Sequence, residues 1–402
     1  MRSVAELLLH RGPISRAELS KLSGFSKQTM SEVIGALEAD GLVRPIGRTN
    51  GNIGRTAVVY DLAADVAYAA GIDLGVTWMS AALVDVMGNI VAQRSIKTDE
   101  RGGQFVVDQI CDVIIDLARG IDADPERVRQ VAIGSPGVVD YRTGRIQMSP
   151  NVHGLDTVNM RELIANKLGT EVSIENDVNL ALVGEHWQGR ARGIGNAALV
   201  FVSTGVGMGF TANGILIRGI SGAAGEIAYM PIGSDLYSPE ALSAGALERE
   251  IGASGMLRRY EQAAGFKLEA ASDIFERRNS GDAAAAKVID DTAQALAIAI
   301  AAICAVVDPQ IVILAGSIGS RSEFIEATMR KIPALSERPI RLEASELKER
   351  AGLVGALAMA LNRLHSVLFG ASGTTGSEFQ DPAQGKPSVS ERIGRNILDQ
   401  II

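Results

Sequence analysis

The chain has 402 residues, a formal net charge of −8, 47% hydrophobic and 21% charged residues, 44 glycines and 4% aromatics. That length exceeds what one hydrophobic core supports, and the composition is globular and loop-rich, which excludes both a single domain and a disordered chain. So few aromatics also argue against binding single-stranded nucleic acid by base stacking.

The longest apolar run, residues 295–307, is shorter than the about 18 residues that suggest a membrane span, and it reads as a buried helix. No membrane partner is expected. Cys111 and Cys304 both lie in apolar surroundings and read as inert core thiols. The N-terminus has no long apolar region of the signal-peptide kind, so a cytoplasmic location is expected. Charge is uneven: residues 1–60 carry eight Lys/Arg against five Asp/Glu, +3, which leaves −11 on the rest. A basic end on an acidic body suits a nucleic-acid-binding module, although an excess of this size is common.

In chain order, Ser15-Arg16-Ala17-Glu18 starts a helix with a capping box, and Gly24 ends it. Ser26 caps a second helix, whose Met30, Val33, Ile34 and Leu37 form one apolar stripe. Its other face is Lys27, Gln28, Thr29, Ser31 and Glu32. Two strands follow, Leu42–Arg44 and Ala57–Tyr60, around a glycine-rich cationic wing that contains Arg48 and Arg55. Helix, turn, helix and wing in this order predict a winged helix-turn-helix over residues 1–62 that binds double-stranded DNA. Arg16, Ser26, Lys27, Gln28, Thr29, Ser31, Arg48 and Arg55 are the candidate DNA-binding residues. The alternative is a small helical cap with a solvated polar face.

The body, residues 67–369, contains one pattern twice. Asp73-Leu74-Gly75-Val76-Thr77 leads into a strand, Ser80–Val86, a Gly88-Asn89 turn and a returning strand. Later, Leu199–Ser203 leads through Thr204-Gly205-Val206-Gly207-Met208-Gly209 to Phe210–Ala212, an Asn213-Gly214 turn and Ile215–Arg218. Each copy joins a small-residue turn, suited to backbone contact with phosphate, to a hairpin. Either turn alone fits glycines that merely shape the backbone; together they predict two like lobes, about 67–193 and 194–369, facing each other across a cleft. Strands before Gly134-Ser135-Pro136-Gly137, Glu175-Asn176-Asp177 and Ala315-Gly316-Ser317 alternate with helices, and such strand ends are where α/β folds hold ligands. Residues 370–402 read as a Gly/Ser/Thr-rich linker and a short amphipathic end.

The motifs Asp73–Thr77, Glu175–Asp177, Thr204–Gly209 and Gly222-Ala223-Ala224-Gly225-Glu226-Ile227, in this order, resemble the ROK family of repressors, open reading frames and sugar kinases. With the N-terminal reader, the chain is similar to the repressor branch, whose members release operator DNA when a sugar occupies a kinase-like cleft. The resemblance implies an α/β body of the actin-like ATPase, ribonuclease H-like kind. It implies sugar binding by Asn151, Asn176, Asp177, Glu226, Tyr229 and Glu248, with Asp177 the catalytic base if the chain is a kinase. It implies nucleotide contacts at Asp73, Gly75, Thr77, Thr204, Gly205, Gly207 and Gly316. A homodimer or homotetramer is expected.

Three departures shape the functional expectation. Tyr229 replaces the family histidine, Ala228 a glycine, and residues 222–252 contain neither Cys nor His, so no metal and no cofactor are expected. Val76 occupies a position where active kinases carry glycine, and a β-branched side chain there crowds an incoming phosphate. Tyr229 either hydrogen-bonds the ligand or fills vacated space. His153 either lines the cleft or is a solvated loop residue, and His186 and Trp187 read as packing. The resulting expectation is a sugar-responsive transcriptional repressor; the alternative is an ATP-dependent sugar kinase with an accessory DNA-binding domain.

Overall fold

The computed structural model describes residues 2–48, 57–140, 142–147 and 152–369. The expected sugar ligand Asn151, the wing residue Arg55 and the linker and terminal helix expected over 370–402 lie outside the described residues. Near the N-terminus, α1 (Arg2–Arg11), β1 (Ile14–Ser15), α2 (Arg16–Ser23) and α3 (Lys27–Ala39) are followed by β2 (Val43–Arg48) and β3 (Val58–Leu62). The strands pair antiparallel in the order β1-β3-β2. Local chemistry sets the helix ends. The Ser15 hydroxyl accepts the Glu18 N–H, and the Glu18 carboxylate accepts the Ser15 N–H at 3.2 Å. Ser26 Oγ accepts the Thr29 N–H at 3.1 Å, and left-handed Gly24 ends α2. Helix α1 has no capping signal and was not foreseen; Val4, Ala5 and Leu8 on it are fully buried with Leu19, Met30 and Ile34. Helices and antiparallel strands follow one another here in the order read from the sequence.

The described residues divide into two compact units: those up to Glu175 together with Leu353–Phe369, and Asn176–Gly352. The division expected at 193/194 therefore falls at 175/176, and the last helix returns to the first unit. In that unit β4 (Tyr68–Leu74), β5 (Trp78–Asp85), β6 (Ile90–Lys97), α4 (Gly103–Gly120) and β7 (Val128–Ser135) come first. A small hairpin of β8 (Val138–Asp140) and β9 (Arg145–Gln147), then α5 (Met160–Leu168) and β10 (Glu171–Asn176), complete it. The sheet order is β10-β7-β4-β5-β6, with β4 parallel to β7 and antiparallel to β5. The stripe of Val106, Val107, Ile110, Ile114 and Leu117 along α4 joins the core of this sheet.

The returning helix spans Ala351–Phe369 and lies so close to the sheet that a Cβ on Gly71 would be 2.8 Å from the Leu357 backbone nitrogen. Near its end His365 donates Nε2–H to the Val86 carbonyl at 2.7 Å, while the Val86 N–H reaches the Ala64 carbonyl at 3.0 Å. Ala63 N–H in turn bonds Leu42 O at 2.9 Å, so the stretch after β3 is fastened on both sides.

The second unit opens with α6 (Asp177–Gln188) and continues through β11 (Ala197–Val202), β12 (Val206–Ala212), β13 (Ile215–Leu216), α7 (Pro239–Ala244), α8 (Ala246–Ile251) and α9 (Ala253–Ala264). Then come α10 (Ala271–Asn279), α11 (Ala283–Val307), β14 (Ile311–Ala315), α12 (Gly316–Gly319), α13 (Ser322–Lys331) and β15 (Leu342–Ala344), and α14 is the returning helix. Its sheet, β13-β12-β11-β14-β15, repeats the first: an antiparallel hairpin beside parallel strands. The duplication read in the sequence is thus real. One detail differs: Val206–Gly209 belongs to β12, paired with β11 from Val202↔Val206, so the turn itself is only Ser203–Gly205. Another is α11, long and apolar enough to cross a membrane by length and composition; half of its apolar window is buried in the fold, but Val306 is 86% exposed. Cys111 is buried and Cys304 partly so, both as free thiols, and burial pushes Cys111 up to about 11.

Two side chains lock α6. The Glu185 carboxylate, fully buried, accepts the Ser345 hydroxyl at 2.5 Å and the backbone N–H of Leu347 and Arg190 at 3.0 and 2.7 Å. His186, one residue on, shares a hydrogen bond of 3.1 Å with the Thr211 hydroxyl on β12, in keeping with its reading as a packing residue.

Substituting Gly71→Ala should cost about 1–3 kcal/mol, because a backbone atom must yield. Gly35→Ala, where nothing lies within 4 Å of the new Cβ, should instead stabilise α3 by about 0.5–1 kcal/mol. Urea denaturation of both variants checks the opposite signs. Burial pulls His186 and His365 from 6.5 down to about 4. The unfolded chain therefore binds more protons between those values, and stability present above about 6.5 is lost as pH falls toward about 4. Thermal melts across this window should show the loss, with a flatter slope in His365→Phe.

Candidate sugar site on the second unit

The turn into α6 carries the two residues expected to touch a sugar. Asn176 is the N-cap: its Oδ1 accepts the N–H groups of Val178 at 3.0 Å and Asn179 at 3.1 Å. Asp177 occupies the first helical position, half-buried, with Oδ1 accepting the Val178 N–H at 2.8 Å. A carboxylate there is favoured by the positive end of the helix dipole and is built to accept a proton or a hydroxyl hydrogen bond. Glu185 holds the other end of the same helix, so both termini of α6 are fixed.

Against this turn lies β12. An added Cβ on Gly207 would be 3.2 Å from Val178 Cγ2, and one on Gly209 would be 3.0 Å from Asn179 Oδ1, so α6 and the strand approach through small residues. Beyond β12 is the loop that presents Glu226. Gly225 has φ +95°, and a Cβ there would lie only 1.9 Å from the Met208 carbonyl oxygen; only glycine lets this loop seat on the strand. The Gly225 carbonyl accepts the Met208 N–H at 2.9 Å.

Glu226 is half-buried, and burial followed by the nearby charge of Glu248 raises its carboxyl above the ordinary range. Glu248 is raised by burial, partly offset by the N–H of Val206, which it accepts through Oε2 at 2.9 Å. Tyr229 follows on a single 3-10 turn, Ile227–Tyr229, 41% exposed, with its hydroxyl 3.4 Å from the Ser243 carbonyl. Burial and then the charges of Glu226 and Glu248 raise its phenol. Asn176, Asp177, Glu226, Tyr229 and Glu248 thus belong to one unit, on segments that pack on β12 or on its turn. Glu248 takes a place that the sequence did not foresee, against the second phosphate-type turn. Among the described residues no cluster of three or more His, Cys, Asp or Glu side chains has a metal-binding arrangement.

The two phosphate-type turns are built alike and finished differently. In the first unit Asp73 ends β4, half-buried, and burial pushes its carboxyl up to about 6. Gly75 N–H bonds the Trp78 carbonyl at 3.0 Å, and the Thr98 hydroxyl donates to the Gly75 carbonyl at 2.7 Å. Thr98 braces this turn from β6's end and carried no signal in the sequence. Val76 is 50% exposed at the tip beside exposed Thr77. In the second unit Thr204 is exposed and Gly205 half-exposed, and the Ser203 and Ser317 hydroxyls, 2.8 Å apart, join this turn to the one at Gly316.

Near the N-terminus, Lys27, Gln28, Thr29 and Ser31 form an exposed face at the start of α3, with Gln28 bonded to Glu32 at 3.2 Å and Ser26 to Thr29 at 2.9 Å. Arg48 is exposed at the end of β2. Arg16 is more engaged: its guanidinium lies 4.7 Å from the Tyr60 ring centre and 3.7 Å from Glu38. His153 is exposed, and its carbonyl accepts the Gly103 N–H.

Tyr229→Phe separates ligand contact from space filling. A hydrogen-bonding role should change relative affinity among sugars by about tenfold in isothermal calorimetry, with stability within about 0.5 kcal/mol of the parent. The chain is 31% identical over 225 residues to the xylose repressor of Bacillus spizizenii, covering 56% of this chain and 58% of that protein. It is 28% identical over 313 residues to the glucokinase of Thermotoga maritima, covering 73% and 97%. A solved ROK family transcriptional regulator, a homolog of the E. coli MLC protein, shares the fold with a TM-score of 0.72 at 22% identity over 91% of this chain and 96% of that one. The ROK family model matches residues 69–363, and the chain belongs to the ROK family.

Proposed function

We propose that this protein is a sugar-responsive repressor of carbohydrate-metabolism genes that binds double-stranded operator DNA as a homodimer or homotetramer in the cytoplasm. The observation that carries this reading is the exposed polar face of α3, capped by Ser26, on the same chain as a ROK body. A helix of this kind enters the major groove with its first residues against base edges, and Lys27, Gln28, Thr29 and Ser31 are those residues. Ser26 caps the helix start, Arg16 lies against Tyr60 and against Glu38 at the helix's other end, and Arg48, with Arg55, supplies phosphate contacts. Likeness to a xylose repressor and to a solved ROK regulator supports the same reading.

The effector seat consists of Asn176, Asp177, Glu226, Tyr229 and Glu248; Asn151, outside the described residues, is the further sugar ligand that the family resemblance implies. Sugar hydroxyls donate to these carboxylates in charge-assisted hydrogen bonds. Binding changes operator affinity by favouring one of two states, and a full switch needs about 5.5 kcal/mol of differential binding. Asp73, Gly75, Thr77, Thr204, Gly205, Gly207 and Gly316 are then remnants of a nucleotide site. Val76 at the first turn disfavours the close phosphate contacts that efficient transfer requires.

One observation favours a second reading, an ATP-dependent sugar kinase: Asp177 retains a carboxylate where a base would abstract the hydroxyl proton. Likeness to a glucokinase points the same way.

Footprinting on DNA upstream of the protein's own gene, with a panel of pentoses, hexoses and amino sugars, decides between them. The repressor reading expects a protected site that one sugar class removes, and no sugar-dependent ATP consumption. Lys27→Ala should weaken binding to all sequences and reduce the salt slope by about 1, whereas Gln28→Ala should relax preference at one base pair by about 1–3 kcal/mol. Turnover abolished by Asp177→Asn, with no protected site, would establish the kinase instead.

A further inference from the structure

The short connection between β3 and β4 is built as a joint and not as a tether. Residues 63–67, Ala-Ala-Asp-Val-Ala, contain none of the glycine and serine that make a linker flexible. They turn tightly, with the Val66 N–H on the Ala63 carbonyl at 3.2 Å. Toward the N-terminal segment, Ala63 donates its N–H to the Leu42 carbonyl at 2.9 Å, and Asp65 meets Arg44 of β2 at 3.0 Å. Toward the body, the Val86 N–H bonds the Ala64 carbonyl at 3.0 Å, and Arg127 donates to the Asp65 carbonyl at 3.3 Å. The exposed Arg44–Asp65 pair adds little by itself, but Leu62, Ala63, Ala67, Tyr68 and Val86 are buried, which shields the backbone bonds from water. Helix α14 closes the joint: His365 donates to the Val86 carbonyl at 2.7 Å and lies near enough to His10 of α1 for a charge there to act on it.

The chain leading into the other end of α14 is tied to the helix that carries Asp177. Glu185 on α6 accepts the Ser345 hydroxyl at 2.5 Å and the Leu347 N–H at 3.0 Å, and Lys348 donates its N–H to Ser345 Oγ at 2.8 Å. Three residues later α14 begins, and it runs unbroken and without proline from Ala351 to Phe369. A helix of 19 residues is about 28 Å long, and one with Val354, Leu357, Leu361 and Leu364 buried along it moves as a rod. We propose that residues 63–67 form a rigid joint that makes the N-terminal DNA reader one body with the first unit's sheet, and that α14 is the rod by which sugar at the start of α6 acts on that joint. Sugar then changes operator affinity by re-aiming the reader as a whole, through a contiguous chain of packed and hydrogen-bonded elements. His365 and Asp65 are positioning residues in this scheme and touch neither sugar nor DNA. The inference rests on the repressor reading above and names the route of its regulation.

The test uses the full chain, the operator fragment defined by footprinting, and D-xylose, D-glucose and N-acetylglucosamine as probes. Three glycines inserted between Ala63 and Ala64 separate the bond to Leu42 from the bond to Val86 and soften the joint. The insertion should keep calorimetric sugar affinity within about twofold of the parent and sugar-free operator affinity within about fivefold, while an effect of sugar on operator affinity of about tenfold or more falls below about twofold. His365→Phe removes only the bond from α14 to Val86 and should cut the same effect by about threefold or more; it also stands in if the insertion does not fold. A folded variant of either kind that keeps the parent's full sugar effect would overturn the proposal, as would an operator-bound parent that answers to none of the three sugars. Hydrogen exchange of the parent judges the joint without sugar or operator. The Ala63 and Val86 amides should exchange as slowly as those of the β4–β5 ladder, and exchange at the rate of a free chain would refute the joint. A protected joint in a parent that binds no operator would sink the repressor reading and leave the joint standing.

Discussion

The candidate site depends on a helix held at both ends by carboxyl and amide oxygens. At its C-terminal end Glu185 is fully buried, and its carboxyl oxygens accept three hydrogen bonds, from Ser345, Leu347 and Arg190. At its N-terminal end Asn176 satisfies two of the helix's otherwise unpaired N–H groups. Between these anchors α6 cannot slide or fray, and Asp177 stays at the start of the helix. Strand β12 then approaches that helix through Gly207 and Gly209, and the Gly225–Glu226 loop seats on the strand residue between them, Met208. Remove the anchoring and the residues lose their common frame, though each side chain remains chemically intact.

A duplicated design explains why the two phosphate-type turns can diverge. Both join a strand to a hairpin, and both units build a five-stranded sheet with parallel and antiparallel partners. The turn at Gly75 keeps its shape through Thr98, while Val76 occupies its tip. The turn at Gly205 keeps its glycine, but its outward donor is bound to Glu248. One turn has changed by a substitution within the motif, the other by a side chain brought from 42 residues along the chain.

Much of the fold was legible because it rests on short-range chemistry. The Ser15–Glu18 capping box, the Ser26 cap and the αL glycine at 24 each involve residues within a few positions of one another, and all three form as read. The strand ends at Glu175-Asn176-Asp177 and Ala315-Gly316 were recognisable for the same reason, as was the Asn213-Gly214 turn, where both residues have positive φ. Helix α1 was not legible, since it has neither a cap nor a polar stripe strong enough to mark it, and tertiary burial of Val4, Ala5 and Leu8 is what makes it a helix. The boundary between units was misplaced for a related reason: the return of α14 to β4 depends on the close approach of Leu357 to Gly71, a contact between residues far apart in sequence.

The sequence by itself determined the family, the capped helices at the N-terminus, the repeated turn-and-hairpin pattern and the residue types a sugar would need, because motifs, caps and turns are written in local spacing. Only the tertiary structure decided what each of those residues does with its hydrogen bonds. It gave Asn176 a capping role, tied Tyr229 to the Ser243 carbonyl and placed the Glu248 carboxylate on the Val206 N–H. The physical reason is that a backbone donor has no preference written in its own sequence. Which acceptor reaches it depends on how distant segments pack, and packing is a property of the whole fold.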